Sequence, residues 1–349
     1  MKLTISIGIL AYNEADSINK TLQSLSNQSI FNETNLDWDI EIIIVPNGCT
    51  DSTAEVAKKT LNQITSNQIK RKRFSWKVCE LAQAGKARAW NSYVHDFSNA
   101  AADYLILMDA DIQFIEETTL QNLILALETN SNASISTDKP VKDVLLKPNK
   151  NLIERLSALA SGVSGASVDE VWICGQLYCA RTLVLRRITI PLGVEMDDGY
   201  LWEMTVTDML TTSRNLKRVV RAKDASHSFQ AYTDLTTLLS HEKWLIVSDT
   251  INSFIFDYLK ASNRIGEDLS LVIQKNNDSN PDWVANLVRT RVSSMGRWVI
   301  PNWFLYRRFK SLKNYSLFKL FWMLPIALMA FLVDMFISTL ANSALHRKA

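Results

Sequence analysis

The chain opens with alternating apolar runs and amphipathic stretches. Residues 4–10 (TISIGIL) form a short β-branched run, the pattern of a buried strand. In the following stretch Ile18, Leu22 and Leu25 fall at four- and three-residue spacing. That spacing predicts one helix face, with Asp16 or Ser17 as its N-cap. Residues 40–45 (IEIIIV) predict a second strand, closed by the turn cluster PNGCTDST. A helix is expected from Asp51 to about Lys59 and a third strand over 73–82. GKARAWNSYVHDF reads as loop then helix, and 104–108 (YLILM) as another buried strand. Strand and helix signals alternating in this way imply a mostly parallel sheet with helices on both faces.

Beyond this region the signals change. Residues 130–150 are polar and predict a surface excursion. The stretch from 151 to 232 reads as a helix (LIERLSALASGV), a strand (VWICGQLYCA) and an acidic turn (EMDDGY) leading into a helix. From about 234 the pattern is helical. The expected division is a catalytic domain over 1–235 and a helical C-terminal region over 236–349.

Composition narrows the classes. The 349 residues are 47% hydrophobic and 21% charged, which excludes a mostly disordered chain and a collagen-like repeat. Lys+Arg is 38 against Asp+Glu 36, so the overall charge balance does not suggest a nucleic-acid partner. Cys49, Cys79, Cys174 and Cys179 form no CxxC pair, and free thiols in a reducing compartment are expected. The N-terminus enters its first strand at once and reads as no targeting segment. The catalytic part is therefore expected on the cytosolic side.

In open parallel sheets, ligands bind beyond the carboxyl ends of the strands, and the polar clusters sit there. In LILMDADIQF an apolar strand delivers Asp109 and Asp111 at i and i+2. Two hard oxygen donors suit Mg²⁺ or Mn²⁺, which keep waters and also bind substrate phosphates. A DxD alone reads equally as a solvated acidic turn. Glu195-Met-Asp197-Asp198 is either a crowded carboxylate site or an acidic helix N-terminus favoured by the macrodipole. Asn47-Gly-Cys-Thr-Asp51, alone, is an ordinary strand-to-helix turn.

Taken in order, ISIGILAYNEADSINKTLQSL, IIIVPNGCTDST, GKARAWN, LILMDADIQF, GQLYCARTLVLRRI and MDDGYL resemble the family 2 glycosyltransferases of the GT-A fold. The resemblance covers about residues 3–235. It implies a nucleotide-sugar donor, a divalent metal (Mg²⁺ or Mn²⁺) and inversion at the anomeric carbon. Matching the family's segments, Ala11, Tyr12 and Glu14 would line the nucleotide pocket. Asn47 and Asp51 would lie on the base side, with Pro46-Asn47 standing where the family usually has Asp-Asp. Lys86 and Arg88 would lie near the donor phosphates, and Asp109 and Asp111 would match the metal-binding DxD. Asp198 would be the base that deprotonates the acceptor, with Asp197 its acidic neighbour and Gly175 and Gln176 on the acceptor side. His227 is either a third metal ligand, as some GT-A enzymes use, or a histidine with an ordinary hydrogen bond. Processive members carry QxxRW. Here there is only SHEKW, whose Trp244 lies 46 residues after Asp198, and this favours transfer of one sugar over chain synthesis. UDP-sugars are the donors the resemblance favours.

The C-terminal end differs again. Residues 289–319 hold eight Lys/Arg, no acid and many aromatics, and the 14 residues 320–333 carry no charge. A span needs about 20 apolar residues, and extension to 345 encloses Asp334. A single span or re-entrant hairpin, an in-plane amphipathic helix and a buried core helix all fit. A membrane surface as partner would place the protein on the cytoplasmic face of the cell membrane and suggest a lipid-linked or glycan acceptor. Two rivals remain: a non-catalytic nucleotide-sugar-binding scaffold, and a sugar nucleotidyltransferase, for which the usual GxGxR-type loop is missing.

Overall fold

The computed structural model describes residues 2–32, 37–67, 69, 73–146, 171–231, 234–263, 268–310 and 317–348. The predicted helix LIERLSALASGV and residues 311–316 of the basic-aromatic stretch lie outside the described residues. The chain forms two compact units, one of residues 1–192, 197–231 and 268–274, the other of 193–196, 232–267 and 275–349.

The first unit is built on strands β1 (Leu3–Ala11), β2 (Trp38–Pro46), β3 (Phe74–Val78), β4 (Tyr104–Asp109), β5 (Gln113–Phe114), β6 (Ile135–Lys142), β7 (Leu177–Arg181) and β8 (Val219–Phe229). They form one sheet in the order β3-β2-β1-β4-β7-β6-β8-β5. The β1/β2, β2/β3, β1/β4 and β6/β8 pairs are parallel, and β4/β7, β6/β7 and β5/β8 are antiparallel. This is the mixed, mostly parallel sheet with flanking helices that the alternation implies. The central strands β1, β2 and β4 are covered on both faces, which explains their nearly continuous apolar runs.

Helix α1 (Ile18–Ser26) buries Ile18, Leu22 and Leu25 completely. They join Ile5, Ile7 and Ile9 of β1 and Leu61 of helix α2 (Thr53–Asn67) in one core. Each such side chain contributes roughly 1.5–3 kcal/mol on burial. Helix α2 outruns its expected end because Thr60, Leu61 and Ile64 continue its buried face. On the other face of β1, Gly8 makes room for Tyr93. A Cβ there would lie 2.6 Å from three ring atoms, and the Tyr93 hydroxyl donates to Ser6 Oγ at 3.0 Å.

Two expectations fail here. Residues 130–146, the described part of the expected surface excursion, are not all at the surface: Ile135–Asp138 of β6 are fully buried in the sheet. Their polar side chains find partners inside, as where Ser136 Oγ donates to the Leu123 carbonyl at 2.7 Å. The strand expected over 171–180 is shorter and begins at Leu177.

The second unit is helical, with α-helices Leu235–Asn263, Trp283–Met295, Trp303–Lys310 and Leu317–Lys348 and no strand among its described residues. Trp283 Nε1 donates to Asn277 Oδ1 at 2.9 Å, and its ring lies 5.5 Å from that of Tyr258.

Candidate active site

The parallel register brings three strand ends together. Ala11 pairs with Pro46, and Leu10 pairs with Asp109. Beyond them lies a cavity of about 550 Å³ lined by Tyr12, Glu14, Asn47, Lys86, Asp109 and Asp111, among others.

The loops above the sheet are tied to each other by polar groups. Asn13, at φ 55°, accepts the Thr50 N–H on Oδ1 at 2.8 Å. The Glu14 N–H donates to Thr53 Oγ1 at 2.7 Å. Asp51 accepts the Ala15 N–H at 3.1 Å and the Thr53 N–H at 3.0 Å. Burial raises that carboxyl, but the Thr53 hydroxyl, which donates to its Oδ1, and these two backbone bonds outweigh it and hold it below its ordinary range. Asn47 is buried, its Nδ2 donating to the Ala11 carbonyl at 2.8 Å and its Oδ1 accepting the Gly85 N–H at 3.0 Å. Asn47 and Asp51 thus fasten the cavity wall. Tyr12 stands at its rim, 54% exposed, with a ring face available for stacking.

Lys86 begins helix α3 (Lys86–Asn91), entered through Gly85 at φ +143°. Its Nζ lies 3.0 Å from Asp109 Oδ1 and 3.7 Å from Asp197 Oδ2, and donates to the Gly175 carbonyl at 3.4 Å. Burial opposes its charge, but Asp109 and then Asp197 outweigh burial and hold the ammonium well above its usual pKa. Arg88 is absent from the cavity lining. Two residues along a helix turn its side chain about 200° away from that of Lys86.

Asp197 and Asp198 open helix α4 (Asp197–Val206). Burial raises Asp197 most, with Lys86 opposing and Asp109 adding to the rise. Burial and the neighbouring Asp197 charge push Asp198 up to about 6. That holds although its Oδ1 accepts the Gly199 N–H at 2.8 Å. Gly175 packs directly on this carboxylate: a Cβ there would stand 3.1 Å from Asp198 Cβ and 3.3 Å from its Oδ2. Gln176 is placed by its carbonyl, which accepts the Asp109 N–H at 2.9 Å.

Asp109, Asp111 and Glu14 turn toward one cavity. Burial raises Glu14 first, a Ser17 hydroxyl opposes, and the Asp111 and Asp109 charges raise it further. Concentrated oxygen donors of this kind fit a hard divalent cation. Among the described residues, no three His, Cys, Asp or Glu side chains stand close enough to hold a metal by themselves. An ion on Asp109 and Asp111 would complete its shell with water and phosphate oxygens, as Mg²⁺ normally does. His227 is not gathered with them. It is fully buried in β8, its Nδ1 2.6 Å from Asp138 Oδ2 and its Nε2 3.3 Å from Gln176 Oε1.

Two neighbours of the site escaped the sequence reading. Asp138 is the partner of His227, in the segment expected at the surface. Trp172, 46% exposed, stacks on Trp202 with ring centroids 4.1 Å apart. Trp202 lies four residues after Asp198, one turn along the same helix, a spacing visible in the sequence.

The family profile described as Glycosyl transferase family 2 matches residues 6–159. This part of the chain is a family 2 glycosyltransferase domain. The match takes in Glu14, Asn47, Lys86, Asp109 and Asp111 and ends before Gly175, Asp198 and His227. Among solved structures, S. aureus TarS is 17% identical, with 72% of this chain and 40% of that chain covered and a TM-score of 0.44. The chain thus spans about two fifths of the length of TarS. The structure of S. aureus TarS 1-349 is 15% identical over 99% of this chain and 92% of that one, TM-score 0.46. Glucosyl-3-phosphoglycerate synthase from Mycobacterium tuberculosis, in complex with Mn²⁺, uridine-diphosphate and phosphoglyceric acid, is 16% identical. It aligns over 72% of this chain and 78% of that one, with a TM-score of 0.47.

Proposed function

We propose that this glycosyltransferase moves one sugar, with inversion, from a nucleotide-sugar to a hydroxyl or phosphate of a lipid-linked or glycan acceptor. UDP-sugars are the favoured donors, following the family resemblance. The observation that carries the reading is the Lys86 bridge. One ammonium joins the DxD carboxylate Asp109, which lines the cavity, to the acidic pair Asp197-Asp198. This closeness supports a reading in which donor and acceptor chemistry meet around Lys86.

The roles follow from charge and position. Tyr12 offers a face to the base, and the strand-end loops form the walls around the nucleotide. Asp109 and Asp111 would hold a Mg²⁺ or Mn²⁺ ion, which supplies positive charge to the departing diphosphate. Lys86 adds a fixed positive charge beside it. Asp198 takes the acceptor's proton. A carboxylate whose pKa is pushed up to about 6 is a stronger base than an ordinary aspartate and still mostly ionised at neutral pH. As the acceptor oxygen bonds to the anomeric carbon, the bond to the nucleotide breaks and its electron pair leaves with the diphosphate. One displacement on the opposite face inverts the centre.

The test is a donor screen on purified protein, reading thermal shift and nucleotide release across UDP- and GDP-sugars with Mn²⁺, Mg²⁺ or EDTA. The proposal expects one donor to stabilise the protein and release its nucleotide only with metal. Binding without release, with any acceptor supplied, would return the scaffold reading. No response to any donor by folded protein would contradict the proposal.

A further inference from the structure

The C-terminal helix Leu317–Lys348 is inverted relative to an ordinary surface helix, which turns its apolar side inward. Leu328, Met329, Leu332, Val333, Phe336 and Leu340 are 38–65% exposed. Asp334, Ile337, Ser338, Ala341 and Leu345 are buried, none above 3%. At about 100° per residue the exposed set covers an arc of about 140° and the buried set an opposite arc of about 100°. The buried side packs on helices Leu235–Asn263, Trp283–Met295 and Trp303–Lys310 of the same unit. Asn342 pins it further: its Nδ2 donates to the Arg297 carbonyl and its Oδ1 accepts the Val299 N–H, both at 2.9 Å.

By length and hydropathy, Ala327–Lys348 could cross a bilayer. A lone span, however, meets lipid on all sides, and here one side is taken up by protein along Asp334–Leu345. What is left is a one-sided apolar strip. Beside it in sequence stand the eight Lys/Arg of 289–319 without an acidic residue. Trp298, Trp303 and Tyr306 are exposed there, the side chains that favour a membrane-water interface. A second copy of the chain would bring like charge against this stretch, whereas anionic headgroups complement it.

We infer that this face of the helix lies in the plane of an anionic bilayer surface, buried in one leaflet without crossing it. The inference goes beyond sugar transfer and stands independently of it. Binding of this kind scales with apolar area and with anionic lipid content.

The experiment is flotation of the full chain with vesicles of phosphatidylcholine alone or mixed with phosphatidylglycerol. The expected result is binding to the mixed vesicles that falls with added salt and is reversed by an alkaline carbonate wash. Leu332→Glu with Phe336→Glu should lower it roughly tenfold or more with Tm unchanged, since both positions are exposed. Absence of flotation, flotation indifferent to the two substitutions, or resistance to carbonate would overturn the inference, the last in favour of a span. So would a soluble dimer that the substitutions dissociate. Donor binding and nucleotide release, measured without vesicles, report separately on the transferase reading.

Discussion

Single residues carry the sharpest expectations. Asp198 is the acceptor's base in this account, so Asp198→Asn should lower kcat by about 10²–10⁴-fold, with donor KM nearly unchanged. The pH dependence follows from the same group. Its carboxyl is pushed up to about 6, so the working ionised form disappears as pH falls through that value. The rate should then drop about tenfold per pH unit in the acid limb. The linkage to folding has the opposite sign. A carboxyl raised in the folded state costs stability once pH exceeds its unfolded value, fully so above about 6. Asp198→Asn should therefore raise Tm at pH 8 and leave it nearly unchanged at pH 4. Gly48 is a structural counterpart. It sits at φ +63°, and a Cβ would stand 2.4 Å from the Ala84 nitrogen. Gly48→Ala should cost on the order of 2 kcal/mol or more in urea unfolding and loosen the cavity wall. The turn at Gly48 is legible in PNGCTD. That Asn47 and Asp51 spend their side chains on neighbouring loops is not, because those partners come from residues 36–38 positions away.

At the level of elements, legibility follows burial chemistry. β1, β2 and β4 show in the sequence because strands covered on both faces must be apolar throughout. α1 shows because a half-buried helix repeats its apolar residues with the helical period. β6 does not. Its Ser136, Thr137 and Asp138 are buried polar residues, and a pattern based on hydrophobicity assigns them to the surface. They are tolerated inside only because other elements supply partners, His227 of β8 for Asp138 and the carbonyl of Leu123, in the helix Thr119–Glu128, for Ser136. Burial pushes the Asp138 carboxyl up, with the His227 hydrogen bond opposing. Asp138→Ala should destabilise the fold by about 3 kcal/mol, since it strands a buried partner. Asp138→Asn, which retains a hydrogen-bonding side chain, should cost less. Chemical denaturation of the two variants separates these outcomes. β8 escaped for a related reason: VVRAKDASHSF mixes charged and small residues and has no apolar run.

For the whole molecule, the division of labour was visible in outline: a mixed α/β sheet first, helices afterwards. The approach of Lys86, Asp109 and Asp197 was not, since it joins three separate parts of the chain through the sheet's topology. Asp109 and Asp197 also hold the half-buried Lys86 ammonium above its usual pKa. Replacing Lys86 with Met should weaken transfer more than donor binding, because the lost charge faces the diphosphate as it departs. The most direct measurement of the central claim is nucleotide release by wild type and Asp198→Asn, with the same donor, metal and acceptor and with donor affinity measured alongside. The account predicts that the variant binds donor as wild type does and releases at least about a hundredfold less nucleotide. Equal release by the two proteins would contradict it.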